Sequence, residues 1–389
     1  MTINLTPDPT LDDSPTMTRT ELRASGSLAS IFALRMLGLF LVLPVFALEA
    51  RKYPGGDDPV LIGLAMGIYG LTQGILQIPF GMASDRLGRK RVIIFGLLVF
   101  ALGSLVAGGA DTLMGVLAGR ALQGAGAVSA AVTALLADLT RDVVRTKAMA
   151  LVGASIGLMF ALSLVVSPVI AAHIGLSGLF VLTAVLALLG TAVVVWGVPA
   201  EPEVHKDAAR GGLRHVLSSP ALLRLNIGVF VLHAVQLAMW VAIPAFLVQA
   251  GLGKDDHWQI YLPAVLGSFV LMGGVFPLER RGYLRAVFLS AIALIALVQV
   301  ALLWVSSGAP SIPCLAWLLF AFFCGFNVLE ATQPSLVSRI APASSRGAAM
   351  GVYNTLQSLG FFAGGVMGGQ LVKSYGTQGL FLTCAALMV

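Results

Sequence analysis

The sequence predicts an all-α membrane protein in which two six-helix bundles are related by a pseudo-two-fold axis. Three observations carry this. Of the 389 residues, 58% are hydrophobic and only 11% are charged, with a mean hydropathy of +0.92; a soluble chain of this length needs far more charge to cover its surface. Apolar runs of roughly 20 residues, long enough to cross a bilayer as helices, recur throughout. Hydrocarbon offers the backbone no partners, so such runs must satisfy their own N–H and C=O groups, and they lack the alternation of barrel strands. Finally, the second half of the chain repeats the first at nearly constant spacing.

Taken in order, residues 1–26 are polar and are expected to form a disordered cytoplasmic tail. They do not resemble a cleaved signal peptide, because the first apolar run starts late and is too long. Twelve apolar segments follow, at 27–49, 60–81, 92–110, 113–137, 147–171, 178–198, 222–249, 258–278, 285–305, 312–337, 347–372 and 377–389. The polar interval 199–221 separates the bundles 27–198 and 222–389 and is expected to be a cytoplasmic linker or surface helix. Segment twelve is short. At 1.5 Å per residue it falls well below the ~30 Å hydrocarbon core, which predicts an incomplete last helix. Cys314, Cys324 and Cys384 all lie in apolar runs, form no metal-ligand spacing and are expected to serve in packing.

Lysine and arginine set the orientation. With the tail, the loop at Asp85 and every second loop on one side, that side holds eighteen basic residues against four (Arg51, Lys52, Lys254 and Lys373) on the other. The tail, the linker and the Asp85 loop are therefore expected in the cytoplasm. The net charge of +6 follows from this topology and needs no nucleic-acid partner.

The repeat is visible in three places. Leu43-Pro44-Val45-Phe46-Ala47 aligns with Ile243-Pro244-Ala245-Phe246-Leu247 at an offset of 200. Arg145 to Met149 aligns with Arg346 to Met350 at an offset of 201, and Asp85 to Arg91 aligns with Glu279 to Arg285 at an offset of 194. Two halves of like orientation suit a transporter that rocks about a site between them.

The run Gly81-Met82-Ala83-Ser84-Asp85-Arg86-Leu87-Gly88-Arg89-Lys90-Arg91 resembles motif A of the major facilitator superfamily, in the loop between segments two and three. Arg120-Ala121-Leu122-Gln123-Gly124-Ala125-Gly126 resembles that superfamily's motif B. Leu34 to Gly38, Gly67 to Gln73, Leu139 to Arg141, Arg145 to Ala150, Phe326-Asn327 with Glu330, and Gly347 to Tyr353 are similar to the YajR-type bacterial inner-membrane group. The resemblance covers segments one to eleven. It implies the major facilitator fold, a drug:proton antiporter-like activity, location in a bacterial inner membrane, a monomer and, in that group, a small soluble domain after helix 12. One departure stands out. Helix 5 carries Ser167-Pro168-Val169-Ile170 where antiporters of the superfamily usually show Gly-Pro and paired glycines.

The candidate gating residues are Gly81, Asp85, Arg86, Gly88, Arg89 and Asp138. Gly81 is expected to let helices 2 and 3 approach, Gly88 to permit a tight turn, and Asp138 to pair with Arg86 or Arg89. The resemblance implies that Asp85 faces the N-terminus of helix 11 in the outward-open state, where the helix dipole attracts it. The proton-coupling candidates are Glu330, Arg120, Arg35 and His233. Glu330 is the one acid deep in an apolar segment, so it must be paired or protonated part of the time. Arg35 keeps its proton and needs a counter-charge, a wet cavity or an anionic group of the substrate. Arg120 is implied to transfer protons or hold helix 1, or it bonds only to backbone. His233 can titrate near neutral pH. Tyr69, Gln73, Gln236, Trp240, Asn327 and Tyr353 are candidates to line a substrate cavity, with Gln357 among further polar positions.

No P-loop lies in the cytoplasmic parts, and no nucleophilic triad or metal cluster stands out. The expected function is secondary transport, with protons exchanged for a small organic or amphipathic solute by alternating access, without a cofactor and without enzymatic chemistry. A non-transporting receptor or scaffold on the same fold, and an importing symporter or facilitator, remain open.

Overall fold

A computed structural model describes residues 16–201, 213–308, 310–342 and 345–389. Most of the expected tail (1–15) and part of the expected linker (202–212) lie outside the described residues. In the first half, α1 (Arg19–Glu49), α2 (Pro59–Leu87), α3 (Arg89–Gly108), α4 (Leu113–Ala125), α5 (Ser129–Asp138) and α6 (Asp142–Ala192) follow one another. A short α7 (Leu213–Ser218) precedes α8 (Pro220–Gln249), α9 (Trp258–Leu278), α10 (Leu284–Val305), α11 (Ile312–Ile340) and α12 (Arg346–Leu387). Among the described residues, eight helices are long and apolar enough to cross a membrane.

The helices depart from the apolar segments for identifiable reasons. α1 starts at Arg19, inside the stretch expected to be tail. Thr18 and Glu21 form a capping box, and the Glu21 carboxylate also accepts from Arg141 Nε at 2.9 Å, so a polar start is held in place. The segment expected at 113–137 is divided into α4 and α5, because at Gly126 the chain runs hard against α3: a Cβ there would lie 2.4 Å from the Gly96 carbonyl oxygen. α6 and α12 each run through two apolar segments with a turn at Gly175 and at Gly376.

These turns also carry the repeat. Gly175 has φ 64° and ψ −172°; Gly376 has φ 64° and ψ −170°. The other positive-φ residues of the described chain are Gly55 and Gly251 (90° and 91°) and Gly88 and Gly282 (97° and 90°). Left-handed backbone excludes side chains, so equivalent turns in the two halves demand glycine at equivalent positions.

Packing differs at the two ends of the molecule. The end carrying Arg89 and Arg141 is called the basic end. α12 lies along both α2 and α8. A Cβ at Gly63 would lie 2.1 Å from the Gly365 carbonyl oxygen, and one at Gly364 would lie 2.2 Å from that of Ala234, so only glycine lets these backbones meet. Nearer the basic end, Gly347 and Gly351 of α12 and Gly153 and Gly157 of α6 have nothing within 4 Å of a Cβ. The buried apolar clusters follow the same gradient. One cluster joins the halves at the opposite end and the middle, from Leu41 and Phe160 to Leu237 and Phe323. At the basic end each half has its own: Leu28, Val92, Leu135 and Val194 in the first, Leu222, Val337 and Tyr353 in the second. The halves therefore meet at the opposite end and part at the basic end.

Candidate functional site

Three polar groups stand out, one at each end of the molecule and one between. At the basic end, Gly88 turns the chain between α2 and α3 with φ 97°. Arg89, the first residue of α3, reaches back to bond Asp85 and Ser84 and pairs with Asp138 of α5 at 3.0 Å. Asp85 keeps 60% of its side chain exposed and spends its charge within its own half. Arg86 is exposed. Gly81 does not serve the approach of α2 to α3. Its nearest neighbour is Ala130 of α5, at an ordinary 3.6 Å; Gly96 of α3, beside Phe80 and Val128, is the close-packed position.

Sequence reasoning missed Glu201. Its carboxylate accepts from the main-chain N–H groups of Arg89 (2.9 Å) and Lys90 (2.6 Å), so it caps the start of α3 from beyond the end of α6. Lys90 Nζ donates to the Val198 carbonyl and Arg23 donates to those of Trp196 and Gly197. The stretch that leads into the interval between the halves is thus stitched to the Asp85 loop.

The middle group spans both halves. Arg35, 1% exposed, lies with its guanidinium carbon 5.4 Å from the Phe100 ring centroid. It donates to Ser129 Oγ (3.1 Å), Tyr69 Oη (2.6 Å) and Gln73 Oε1 (3.0 Å). Its acceptors are neutral, and no ion pair involving it occurs among the described residues. Gln73 uses its amide nitrogen to donate to Ser358 Oγ of α12 at 3.1 Å, which crosses the interface. The preceding residue of α12, Gln357, turns the other way. Its Nε2 lies 3.1 Å from Glu330 Oε1 of α11 and 2.8 Å from His233 Nε2 of α8. Glu330 Oε2 lies 3.3 Å from the same His233 nitrogen. His233 is 2% exposed and stands edge-on to Phe326 and Phe361, whereas Glu330 keeps 38% of its side chain exposed. Two candidates chosen separately thus meet.

Other candidates are placed differently. Arg120 holds α2, not helix 1. It donates to the main-chain carbonyls of Ala65 (3.4 Å) and Met66 (3.1 Å) and to Gln123 Oε1, with its charge over the Tyr69 ring. Tyr69, Gln236, Trp240, Asn327 and Tyr353 are buried, so none of them lines an open cavity in this conformation. Trp240 packs on Tyr261, Asn327 donates to Ser268, and Tyr353 donates to Gln333. A polar or aromatic residue on an apolar helix faces either a cavity or a neighbouring helix, and periodicity alone does not separate the two. Cys314 is exposed rather than packed.

The third group closes the opposite end. Glu49, at the end of α1, is 4% exposed and bonds Lys52 (2.6 Å) and, from the second half, Lys254 (2.8 Å). The hydrogen bond to Glu49 holds the Lys254 ammonium above its ordinary pKa. Asp58, which caps α2, pairs with Lys373 at 3.2 Å. The hydrogen bond from the Val60 N–H, and then Lys373, lower the Asp58 pKa. His257 is buried beside them with Nε2 unpartnered, and burial pulls its pKa down to about 4.

The profile of the Major Facilitator Superfamily matches residues 28–364 and 278–389. The inner membrane transport protein YajR of Escherichia coli (strain K12) is 42% identical over 383 residues, covering 95% of this chain and 82% of that one. The multidrug resistance protein MdtH of Aeromonas hydrophila is 26% identical over 346 residues, covering 86% and 84%. Among solved structures, a POT family transporter in complex with 5-aminolevulinic acid aligns with a TM-score of 0.75 at 14% identity, covering 94% of each chain; that likeness speaks to the fold alone.

Proposed function

The chain belongs to the major facilitator superfamily, a family of membrane transporters, and from that premise we propose that it is a proton-coupled exporter of a small organic or amphipathic solute. The single observation that supports coupling is the meeting of Glu330 and His233 in the middle of the interface, at 3.3 Å, with Glu330 partly open. A carboxylate at membrane depth is expensive when charged. A neighbouring imidazole gives that carboxylate a partner with which a proton can be shared.

The basic end faces the cytoplasm, the bundles comprise residues 27–198 and 222–389, and the protein works as a monomer. The conformation is then inward-facing, with the outer end sealed by Glu49–Lys254 and Asp58–Lys373. In the outward-facing state the Asp85 loop closes on the start of α12 and latches the cytoplasmic end.

The test is flux in proteoliposomes under an imposed pH gradient, across a library of solutes. Proton and solute should move in opposite directions, and Glu330→Gln should abolish coupling while leaving folding intact. Coupled flux undiminished in Glu330→Gln would remove the assignment. Co-directional movement would make the protein a symporter.

A further inference from the structure

Gln357 of α12 lies against both members of the Glu330–His233 pair. His233 Nδ1 lies 2.9 Å from the carbonyl oxygen of Val229, one turn back on α8. A carbonyl only accepts, so Nδ1 carries the hydrogen and neutral His233 presents a lone pair at Nε2. The Gln357 amide nitrogen is 2.8 Å from that lone pair and 3.1 Å from Glu330 Oε1. One NH2 group has two hydrogens, and both are used. The reversed amide would set oxygen against carboxylate oxygen, so this orientation is the one the cluster accepts. Glu330 Oε2 then faces His233 Nε2 at 3.3 Å with no hydrogen between them, and Oε2 has no hydrogen-bond partner. With His233 neutral, the cluster has room for one more proton.

A proton taken up by the pair would fill the gap as Nε2–H···Oε2. While it is bound, Nε2 no longer accepts, and Gln357 loses its shorter bond. Gln357 belongs to α12, and the adjacent Ser358, about 100° round the helix, receives the Gln73 amide of α2 at 3.1 Å. The amide that senses the proton and the hydroxyl that touches the other half are neighbours on one helix. Among the described residues, further titratable or charged groups near the cluster include Tyr353 on α12, whose hydroxyl meets Gln333, and, in the first half behind Gln73, Tyr69 on α2 and Arg35 on α1.

We propose that Gln357 is the positioning residue through which the protonation state of the Glu330–His233 pair is passed to α12 and so to the contact between the halves. This rests on proton coupling at Glu330. The test records spin-label distances across the cytoplasmic mouth of the full chain in lipid nanodiscs, between about pH 6.5 and pH 9. That range lies above the one in which buried His257 contributes. The wild-type ratio of open to closed mouths should change at least ~10-fold over it, a ~1.4 kcal/mol shift. Gln357→Met, of similar size but without hydrogen bonds, should reduce the change to less than ~2-fold with the unfolding temperature preserved. A wild-type profile in Gln357→Met, with a flat one in Glu330→Gln, overturns the role of Gln357 alone. A wild-type profile in Glu330→Gln overturns the coupling site as well. Should Gln357→Met fail to fold, nitrogen NMR of the wild-type histidines decides: the Nδ1–H tautomer of His233 at high pH supports the proposal, and the Nε2–H tautomer overturns it.

Discussion

Removing Lys254 should open the outer end. Glu49 is a buried carboxylate, 4% exposed, that is held by Lys52 from its own half and Lys254 from the other. Two unit charges about 4 Å apart attract by ~4 kcal/mol at an effective dielectric of 20. Lys254 remains 40% exposed and Lys52 stays behind, so the loss in Lys254→Met is far smaller than that figure. Exposed pairs are worth at most ~1 kcal/mol, and breaking a buried pair costs ~3–5 kcal/mol. This bridge falls between, at ~1–2 kcal/mol, or a ~5- to 30-fold fall in the ratio of closed to open outer ends. The open state does not share the loss, because there Glu49 and Lys254 are separated and hydrated. Spin-label distances across the outer end, with labels on the starts of α2 and α9, measure the ratio directly. Glu49→Gln should shift it the same way, and Lys254→Met added to Glu49→Gln should have little further effect. An unchanged distribution in Lys254→Met, or an equal shift in the Glu49→Gln background, would refute the bridge as the outer seal.

Three further outcomes are expected. His257 has its pKa pulled from 6.5 to about 4 by burial, so the folded, outer-closed state binds fewer protons than a hydrated one. The stabilisation is complete above about pH 6.5 and is lost as pH falls toward 4, by up to ~3 kcal/mol; unfolding temperatures should fall over that range, and His257→Phe should flatten the dependence. Gly365→Ala would set a Cβ 2.3 Å from the Gly63 carbonyl oxygen and 2.9 Å from the Gly67 Cα. It should deplete the outer-closed state by ~1–3 kcal/mol, whereas Gly153→Ala, with nothing within 4 Å, should leave the distances unchanged; equal effects would contradict the packing gradient. Asp85→Asn should shift the balance toward inward-facing conformers, because Asp85 latches only the other state, and unchanged distances across the cytoplasmic mouth would remove the latch.

The spans were legible because apolarity over some twenty residues has one physical solution in lipid. The repeat was legible from short matches such as Pro44 with Pro244, and the paired left-handed glycines have the same cause: equivalent turns need the same missing side chain. Glu330 and His233 were legible singly, as ionisable residues in apolar runs. Their meeting was not, because it depends on how α8 and α11 are rotated against each other, and no local pattern encodes that. The same holds for Glu49 with Lys254 and for Glu201 with the start of α3, each a long-range pair of charges that looks like ordinary loop polarity in sequence. Trp240, Gln236 and Asn327 went the other way. They read as cavity positions and are in fact buried, because helical periodicity gives a face and not its neighbour.

α12 explains why these separate features form one device. Away from the basic end, Gly364, Gly365, Gly368 and Gly369 bring it into backbone contact with α8 on one side and α2 on the other. At its middle, Gln357 touches the titratable pair and Ser358 touches Gln73. Toward the basic end Gly347 and Gly351 face open space. Backbone contact at these glycines holds that part of α12 against both halves, whereas at the basic end Ala349 and Tyr353 pack only within the second half, with Leu222 and Val337. Gln357 lies between the part of α12 held by both halves and the part held by one, which is where the proposed proton signal would enter the helix. Arg35 fixes the first-half side of the Gln73–Ser358 contact. Its guanidinium is bound by Ser129 and Tyr69 as well as Gln73, so Gln73 is presented to Ser358 from a held position, and a change at Gln357 acts on the α12 side of the bond.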